Sequence, residues 1–426
     1  MLSMFVLFGG LLIFILIGVP VGYSIGLASI VTFIFFSDIP LTIIAQNCFT
    51  GLNSFALLAI PFFMLAGVIM SEGGIAKRLV NLADALIGHV SGGLGMVSVL
   101  TATFFGTCTG SGNATTSAVG SLLIPSMSDK AYPKNFSGTL IAAAGIIGIV
   151  LPPSISFVIY GVTTQTSIAA LFIAGIIPGL MIAFVLMIAC YIICKIKGYK
   201  GNDSRPQLKR VLLALKDGIW AMLAPVIILG GIYSGIFTPT ESAVIAVVYA
   251  IIVGAFIYRE LTWKKFLMSL YNAAILNGVT SFIIGFSTAM AKFLTLERIP
   301  QKICEAILNV SDNKIVVLLL VNVMLLLLGM VIDIIPALII LSPILLPVVT
   351  SFGMSPVQFG VIMVVNLGIG FITPPYGSTL FISAAITKEP VETMFKYGLL
   401  FSAVIFIVLM LITYVPWFSL FLVSTM

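Results

Sequence analysis

Apolar residues occupy long uninterrupted blocks of this chain, and charged residues fall in the gaps between them. A crossing of the hydrocarbon core takes about 20 consecutive apolar residues, so the charge-poor blocks leave room for roughly ten to twelve membrane spans, some short or broken. The first block, Met1 to Phe36, holds no charged side chain. A secretory leader would carry Lys or Arg ahead of its apolar run and a small-residue cleavage site after it. Neither is evident, so the segment reads as a retained pair of membrane helices turning near Pro20. Two stretches mix charge with apolar positions at helical spacing. Glu72 to His89 and Arg259 to Leu270 read as amphipathic helices lying along the membrane surface, one in each half.

Proline and glycine mark where the apolar blocks break, and the marks recur. Leu151-Pro152-Pro153-Ser154 and Thr373-Pro374-Pro375-Tyr376 place their prolines 222 positions apart, and Pro125 and Pro347 share that spacing. Ser111 is separated from Asp333 by the same 222 positions. Two independent landmarks at one offset predict an internal duplication. An odd number of crossings per copy would make the copies inverted, which spacing alone does not show. The expected division is a first repeat over 1–194, a basic loop over 195–217 and a second repeat over 218–426. Each repeat is expected to hold a re-entrant helical hairpin (92–127 and 315–350) and a broken helix (136–165 and 356–387).

The breaks carry the candidate chemistry. Proline removes a backbone donor and glycine loosens a helix. In lipid each freed carbonyl or amide costs several kcal/mol unless it finds a partner. Unwound peptide at that depth is therefore kept where something binds it or protein covers it, and a hard cation such as sodium suits carbonyl and hydroxyl oxygens. The run Gly106-Thr-Cys-Thr-Gly-Ser-Gly-Asn-Ala-Thr-Thr-Ser117 has only Ala114 as a plainly apolar residue and reads as a hairpin tip. Its counterpart is Gly329-Met-Val-Ile-Asp-Ile-Ile-Pro336. The facing breaks are Gly145 to Pro153 and Asn366 to Pro375, the latter followed by Gly377-Ser378-Thr379. Close helix packing is the rival explanation for small residues, although packing does not call for so many oxygens. A phosphate loop is excluded, because no Lys follows Gly112. Simple kinks would account for single Pro-Pro pairs but not for their duplication.

Composition narrows the class. Sixty per cent of the 426 residues are hydrophobic and 8% are charged, against roughly 25% charged in soluble domains. The net charge of +6 concentrates in Lys195 to Lys216, where Lys195, Lys197, Lys200, Arg205, Lys209, Arg210 and Lys216 face only Asp203. Between two apolar blocks this reads as a cytoplasmic loop under the positive-inside rule rather than a nucleic-acid patch. Cys190 and Cys194 sit one helical turn apart with no His, Asp or Glu to complete a metal set, and read as small packing residues, as do Cys48, Cys108 and Cys304. His89, the single histidine, lies beside Gly88 at an expected helix end.

Charges inside apolar blocks remain. A lone carboxylate at mid-bilayer costs at least about 2.5–3.5 kcal/mol, so Asp333 is expected to face an ion or substrate, with a helix cap as its structural alternative. Arg298, after Lys292 and Glu297, could grip a carboxylate through its planar fork or snorkel to the interface. Lys292 reads as serving packing or topology. Glu241, in Thr238-Pro-Thr-Glu241-Ser242, reads as structural.

Ile60-Pro-Phe-Phe-Met-Leu-Ala-Gly67, Gly110-Ser-Gly-Asn-Ala-Thr115, Leu151-Pro-Pro-Ser154 with Val158-Ile-Tyr-Gly161, Gly235-Ile-Phe-Thr-Pro-Thr-Glu-Ser242 and Thr373-Pro-Pro-Tyr-Gly377 follow in one order along the whole chain. In these pieces the sequence resembles the large membrane subunit of tripartite ATP-independent periplasmic (TRAP) transporters. The resemblance implies an all-α polytopic protein of the bacterial inner membrane working as an elevator, with a transport domain sliding on a scaffold. It implies two or more sodium ions as coupling ions, a soluble periplasmic substrate-binding protein, and a small four-helix membrane subunit expected as a separate chain. Family sodium sites would fall on Ser111, Asn113, Gly148, Leu151 and Pro153 in the first half. In the second half they would fall on Gly329, Asp333, Gly370, Thr373 and Pro375. Ser111, Ser156, Arg298 and Asp333 most resemble the polar substrate set of the sialic-acid members. Sialic acid is thus the first expected substrate among small organic acids, with a C4-dicarboxylate or sugar acid close behind. Rival classes are a stand-alone sodium/carboxylate transporter, a passive scaffold and an intramembrane enzyme. The last lacks a nucleophile–base pair or metal set.

Overall fold

The computed structural model describes residues 2–36, 40–199, 208–310 and 313–425, and all regular structure among them is helical. Within the expected basic loop, residues 200–207, including Lys200, Asp203 and Arg205, lie outside the described residues, as does the side chain of Cys304. The helices of the first half are α1 (Leu2–Leu16), α2 (Val21–Phe36), α3 (Thr42–Leu52), α4 (Ala59–Glu72), α5 (Ile75–Ile87), α6 (Gly93–Thr109), α7 (Gly112–Asp129), α8 (Lys134–Gly145), α9 (Ile147–Val150), α10 (Ile155–Thr164) and α11 (Ile168–Lys197). The second half contains α12 (Leu208–Tyr233), α13 (Pro239–Ile252), α14 (Trp263–Leu296), α15 (Ile299–Val310), α16 (Lys314–Gly329), α17 (Ile334–Ser351), α18 (Pro356–Gly370), α19 (Ser378–Thr387), α20 (Phe395–Tyr414) and α21 (Trp417–Leu420).

The chain is a polytopic α-helical membrane protein. Among the described residues, seven helical segments are long and apolar enough to span a bilayer. An eighth span results if the pair Lys134–Val150 and Ile155–Thr164, bent by 43°, counts as one broken crossing. This is fewer than ten to twelve because Phe5–Leu16 of α1, α2, α6, α16, α18 and α19 are apolar helices of 10–17 residues, short for the hydrocarbon core at 1.5 Å per residue. The last four flank the glycine- and proline-marked breaks. The opening helix pair is present, with α1 and α2 packed together across the turn at Pro20.

Local chemistry sets the helix ends. Ser111, Ser154, Ser167 and Thr262 each accept a hydrogen bond from the first turn of the helix they cap. Thr238 and Glu241 form a capping box, with Glu241 Oε2 accepting from the Thr238 amide at 2.8 Å. Glu241 is thus structural, as expected. Gly110, with φ +62°, lets α6 turn directly into α7.

Several helix boundaries around the breaks recur at one spacing. The starts of α7 and α17, the ends of those helices, and the starts of α8 and α18 are each separated by 222 positions. Packing is reciprocal too: α7 lies on α19, and α17 lies on α10.

The amphipathic segments depart from expectation in one half. α5 buries Ile75, Ala76, Leu79, Leu82 and Ala83 and packs on α6 and α12. In contrast, Trp263 to Leu270 is no separate arm but the opening of α14, a continuous helix of 34 residues. Its apolar continuation beyond Leu270 leaves nothing to break the helix. The element at the position of α5 is instead the amphipathic α15, which follows Arg298 as α5 follows Gly74; both preceding residues have positive φ.

Every salt bridge found among the described residues fastens α5 or its approach to the second half. Arg78 contacts Glu260 at 2.7 Å and Asp217 at 3.3 Å, and its guanidinium lies 3.6 Å from the centre of the Tyr258 ring. Asp84 pairs with Arg210, and Glu72 with Lys265. Only 15% of the Arg78 side chain is exposed. Burial pushes the Tyr258 phenol up to about 12, with the guanidinium opposing it, so the ring stays neutral. Replacing Arg78 by Ala is expected to lower the apparent stability in detergent by about 1–2 kcal/mol, because its partners are partly solvated. Arg78→Lys should restore only part of this, since an ammonium lacks the fork. An unchanged melting temperature for Arg78→Ala would contradict that role.

Candidate functional site

In the first half the hairpin tip lies directly on the break. The Ile155 amide donates to the Gly110 carbonyl at 3.2 Å. A Cβ on Gly106 would come within 2.8 Å of the Gly148 Cα, and one on Gly110 within 2.6 Å of the Pro153 carbonyl oxygen. A Cβ on Gly148 would meet the Thr115 hydroxyl and stand 3.1 Å from the Ser111 carbonyl. Glycine is required here because two backbones approach with no room for a side chain. The tip hydroxyls of Thr109 and Thr115 bond each other at 2.9 Å. Ser154 donates to the Ile149 carbonyl at 2.5 Å and so bridges the break itself.

The second half repeats the contact with different chemistry. A Cβ on Gly370 would run into the Gly329 carbonyl, and one on Gly329 would stand 3.2 Å from the Leu367 Cα. The Tyr376 amide donates to the Met330 carbonyl at 3.0 Å, and its hydroxyl donates to Asp333 Oδ2 at 3.4 Å. Asp333 occupies the N-cap position of α17. Thr379 donates to the Phe371 carbonyl at 2.8 Å across the break.

One side-chain bond joins the halves at the tips: Ser378 Oγ donates to Asn113 Oδ1 at 3.2 Å. The first turns of α7 and α19 therefore meet. Ser111, Asn113, Asp333, Tyr376 and Ser378 are all half-buried, whereas Pro152 and Pro153 are buried and Pro375 is exposed.

The expected residues divide accordingly. Ser111, Gly148 and Pro153 come together in the first junction, and Asn113 links it to the second half. Gly329, Gly370 and Asp333 lie in the second junction. Leu151 supplies extended backbone at the break while its side chain packs on Gly179. The Thr373 hydroxyl is turned away, donating to the Ile369 carbonyl at 2.6 Å and lying 3.2 Å from Ser402 Oγ. Ser156 is buried in the first turn of α10. Arg298 stands exposed at the corner between α14 and α15, and no hydrogen bond or ion pair joins it to the tips among the described residues. Tyr376 and Ser378 were missed from the site. Ser378 lies 222 positions after Ser156, so the repeat carried its signal; Tyr376 stands at the same offset from Ser154.

Residues 8–418 match the family description "Tripartite ATP-independent periplasmic transporter, DctM component". The chain belongs to this family. It is 43% identical over 411 residues to the isethionate TRAP transporter permease protein of Oleidesulfovibrio alaskensis, covering 96% of this chain and 65% of that protein's length. It is 39% identical over 408 residues to the sialic acid TRAP transporter large permease protein of Vibrio cholerae, with 95% of each covered. The C4-dicarboxylate large permease of Pseudomonas aeruginosa is 39% identical over 397 residues, with 93% of each covered. Among solved structures the YdaH transporter of Alcanivorax borkumensis superimposes with a TM-score of 0.60 over 88% of this chain and 87% of its own, at 15% identity, which speaks to the fold alone. This TRAP large permease is a transporter component and not an enzyme. Membership implies a small membrane subunit and a periplasmic binding protein.

The tip–break contact makes a sharp prediction. Gly370→Ala places a methyl against the Gly329 carbonyl, an overpacking of about 1–3 kcal/mol. Transport should fall about 5- to 150-fold while the protein still inserts. Gly230→Ala, where a Cβ meets nothing within 4 Å, should transport normally. Equal activity of the two variants would show that the contact does not matter.

Proposed function

We propose that this TRAP permease carries a small organic anion, a carboxylate or sulfonate, into the cell together with two or more sodium ions. The reading is supported by one observation above the others: each half lays a hairpin tip on a glycine break with no space for a side chain, at Gly106–Gly148 and Gly329–Gly370. Such junctions expose peptide oxygens where lipid could not satisfy them. Two buried side-chain oxygens beside them, Thr116 Oγ1 and Asn366 Oδ1, have no hydrogen-bond partner among the described residues. A hard cation fits such an oxygen-rich cradle. In the first half, Ser111, Asn113, Gly148, Leu151 and Pro153 would surround one ion. In the second, Gly329, Asp333, Gly370, Thr373 and Pro375 would surround another.

The substrate would sit between the junctions, against Ser111, Asn113, Ser378 and Ser156. The first turns of α7 and α19 would present backbone amides and positive dipole ends to an anion. Tyr376 would hold the Asp333 carboxylate toward the ion. The two hairpins and broken helices form the moving unit of an elevator with inverted repeats, and α5, α12 and α14 belong to the scaffold. The loop 195–217 faces the cytoplasm of the inner membrane. Relatives are named for isethionate, C4-dicarboxylates, sialic acid and 2,3-diketo-L-gulonate. That range favours a class of anion over any single member, and sialic acid stands in the class.

The test is uptake into proteoliposomes containing the permease and its small subunit, with the binding protein outside and an inward sodium gradient. A panel of labelled isethionate, C4-dicarboxylate, sialic acid and diketogulonate should yield one anion whose uptake needs both sodium and the binding protein. Ser111→Ala and Asp333→Ala should each cut that uptake at least about tenfold, the scale of one charge-assisted contact. Normal sodium-driven uptake in both variants would remove the site. Full uptake without the binding protein would favour the stand-alone transporter.

A further inference from the structure

A cavity of about 650 Å³ lies away from the tips, between α2, α3 and α14. Ile30, Ile44, Phe49, Gly278, Phe282 and Phe286 line it, and Cys48 and Ser281 provide its only polar side-chain atoms. A polar solute would lose its hydration there without new partners. The cavity therefore suits a hydrocarbon chain.

The surface leading to it has a direction. Lys264, Met268, Tyr271, Ile275, Gly278 and Phe282 follow one another at intervals of three or four along α14 and form a single exposed stripe. From Lys264 to Gly278 the helix rises about 21 Å, half the thickness of a bilayer with its headgroups. At the upper end Trp263 is 72% exposed, as an interfacial anchor would be. Arg259 and Lys264 are exposed there and have no ion-pair partner among the described residues. The nearby acids are engaged elsewhere: Glu260 and Asp217 with Arg78, and Glu72 with Lys265. This end therefore presents unneutralised positive charge above an apolar track.

We propose that an acidic phospholipid binds along α14, its headgroup held by Arg259 and Lys264 and one acyl chain laid down the stripe into the cavity. The track joins a cationic end to an apolar one over the depth of one leaflet, which matches a lipid. A transmembrane helix of a partner would need neither the charge nor the cavity. The lipid would fill space between α2 and α14 that protein leaves open, on the same side of the molecule as the Arg78 clasp.

The test uses the full chain, delipidated in detergent and titrated with phosphatidylglycerol or phosphatidylcholine under native mass spectrometry. Phosphatidylglycerol should bind more tightly than phosphatidylcholine. The double variant Arg259→Gln/Lys264→Gln should weaken phosphatidylglycerol binding about thirtyfold, the scale of two cationic contacts to an anionic headgroup, and leave phosphatidylcholine unchanged. Gly278→Leu should weaken both lipids by obstructing the track. A Cβ there meets nothing within 4 Å, and an unchanged lipid-free melting temperature will confirm that the variant folds. The proposal is overturned if the wild type fails to discriminate between the lipids. It is also overturned if either variant binds phosphatidylglycerol like the wild type, or if the small subunit displaces the lipid completely.

Discussion

Peptide groups that leave a helix inside a bilayer must find partners, because hydrocarbon offers none. The architecture around residues 93–164 and 314–387 is arranged to meet that demand. Each break is covered by a hairpin tip, backbone against backbone. Glycines at 106, 110 and 148, and again at 329 and 370, allow the approach. Serine and threonine hydroxyls cross the gaps, Ser154 to the Ile149 carbonyl and Thr379 to the Phe371 carbonyl. These bonds hold the broken helices together. Oxygens they do not satisfy are the ones available to a cation.

The two junctions are alike in backbone and unlike in side chains. The first is neutral, built from hydroxyls and the Asn113 amide. The second carries the Asp333 carboxylate with its Tyr376 donor. Under the proposed coupling, a carrier that binds cations and an anion together gains from such asymmetry. One positively charged ion can be matched by a fixed carboxylate, while the neutral side accepts a second ion along with the substrate's own charge. The Ser378–Asn113 bond joins the two halves side chain to side chain between these chemistries.

The helix interruptions were legible in the sequence because proline and glycine positions are dictated locally. Pro152-Pro153 and Pro374-Pro375 break a helix wherever it packs, and the 222-residue offset recurs at the starts of α7 and α17 and of α8 and α18. Asp333 stood out as a charge in an apolar block. The partners of these residues were not legible. Tyr376 is an ordinary tyrosine until its hydroxyl is seen against Asp333. Ser378 acquires meaning from Asn113, more than 250 positions away. The Thr373 hydroxyl is held by Ile369 and by Ser402 of α20, which composition cannot reveal. The second surface arm was misplaced for a related reason. Trp263, Lys264 and Lys265 look interfacial, and they are the exposed start of a long helix, while the amphipathic α15 shares its sequence neighbourhood with Arg298. Arg78 reads as one charge of an amphipathic segment, and its partners were not legible, since its acids arrive from segments 139 and 182 positions away.

The central claim is that sodium occupies the covered breaks. Hydrogen exchange of the purified permease in sodium, compared with choline at equal ionic strength, addresses it most directly. The account predicts slower exchange in sodium for backbone amides in 106–117, 145–155, 329–336 and 366–378, with α12 and α14 unaffected. Identical exchange at those four stretches in the two salts, or a slowing spread evenly over all helices, would contradict it.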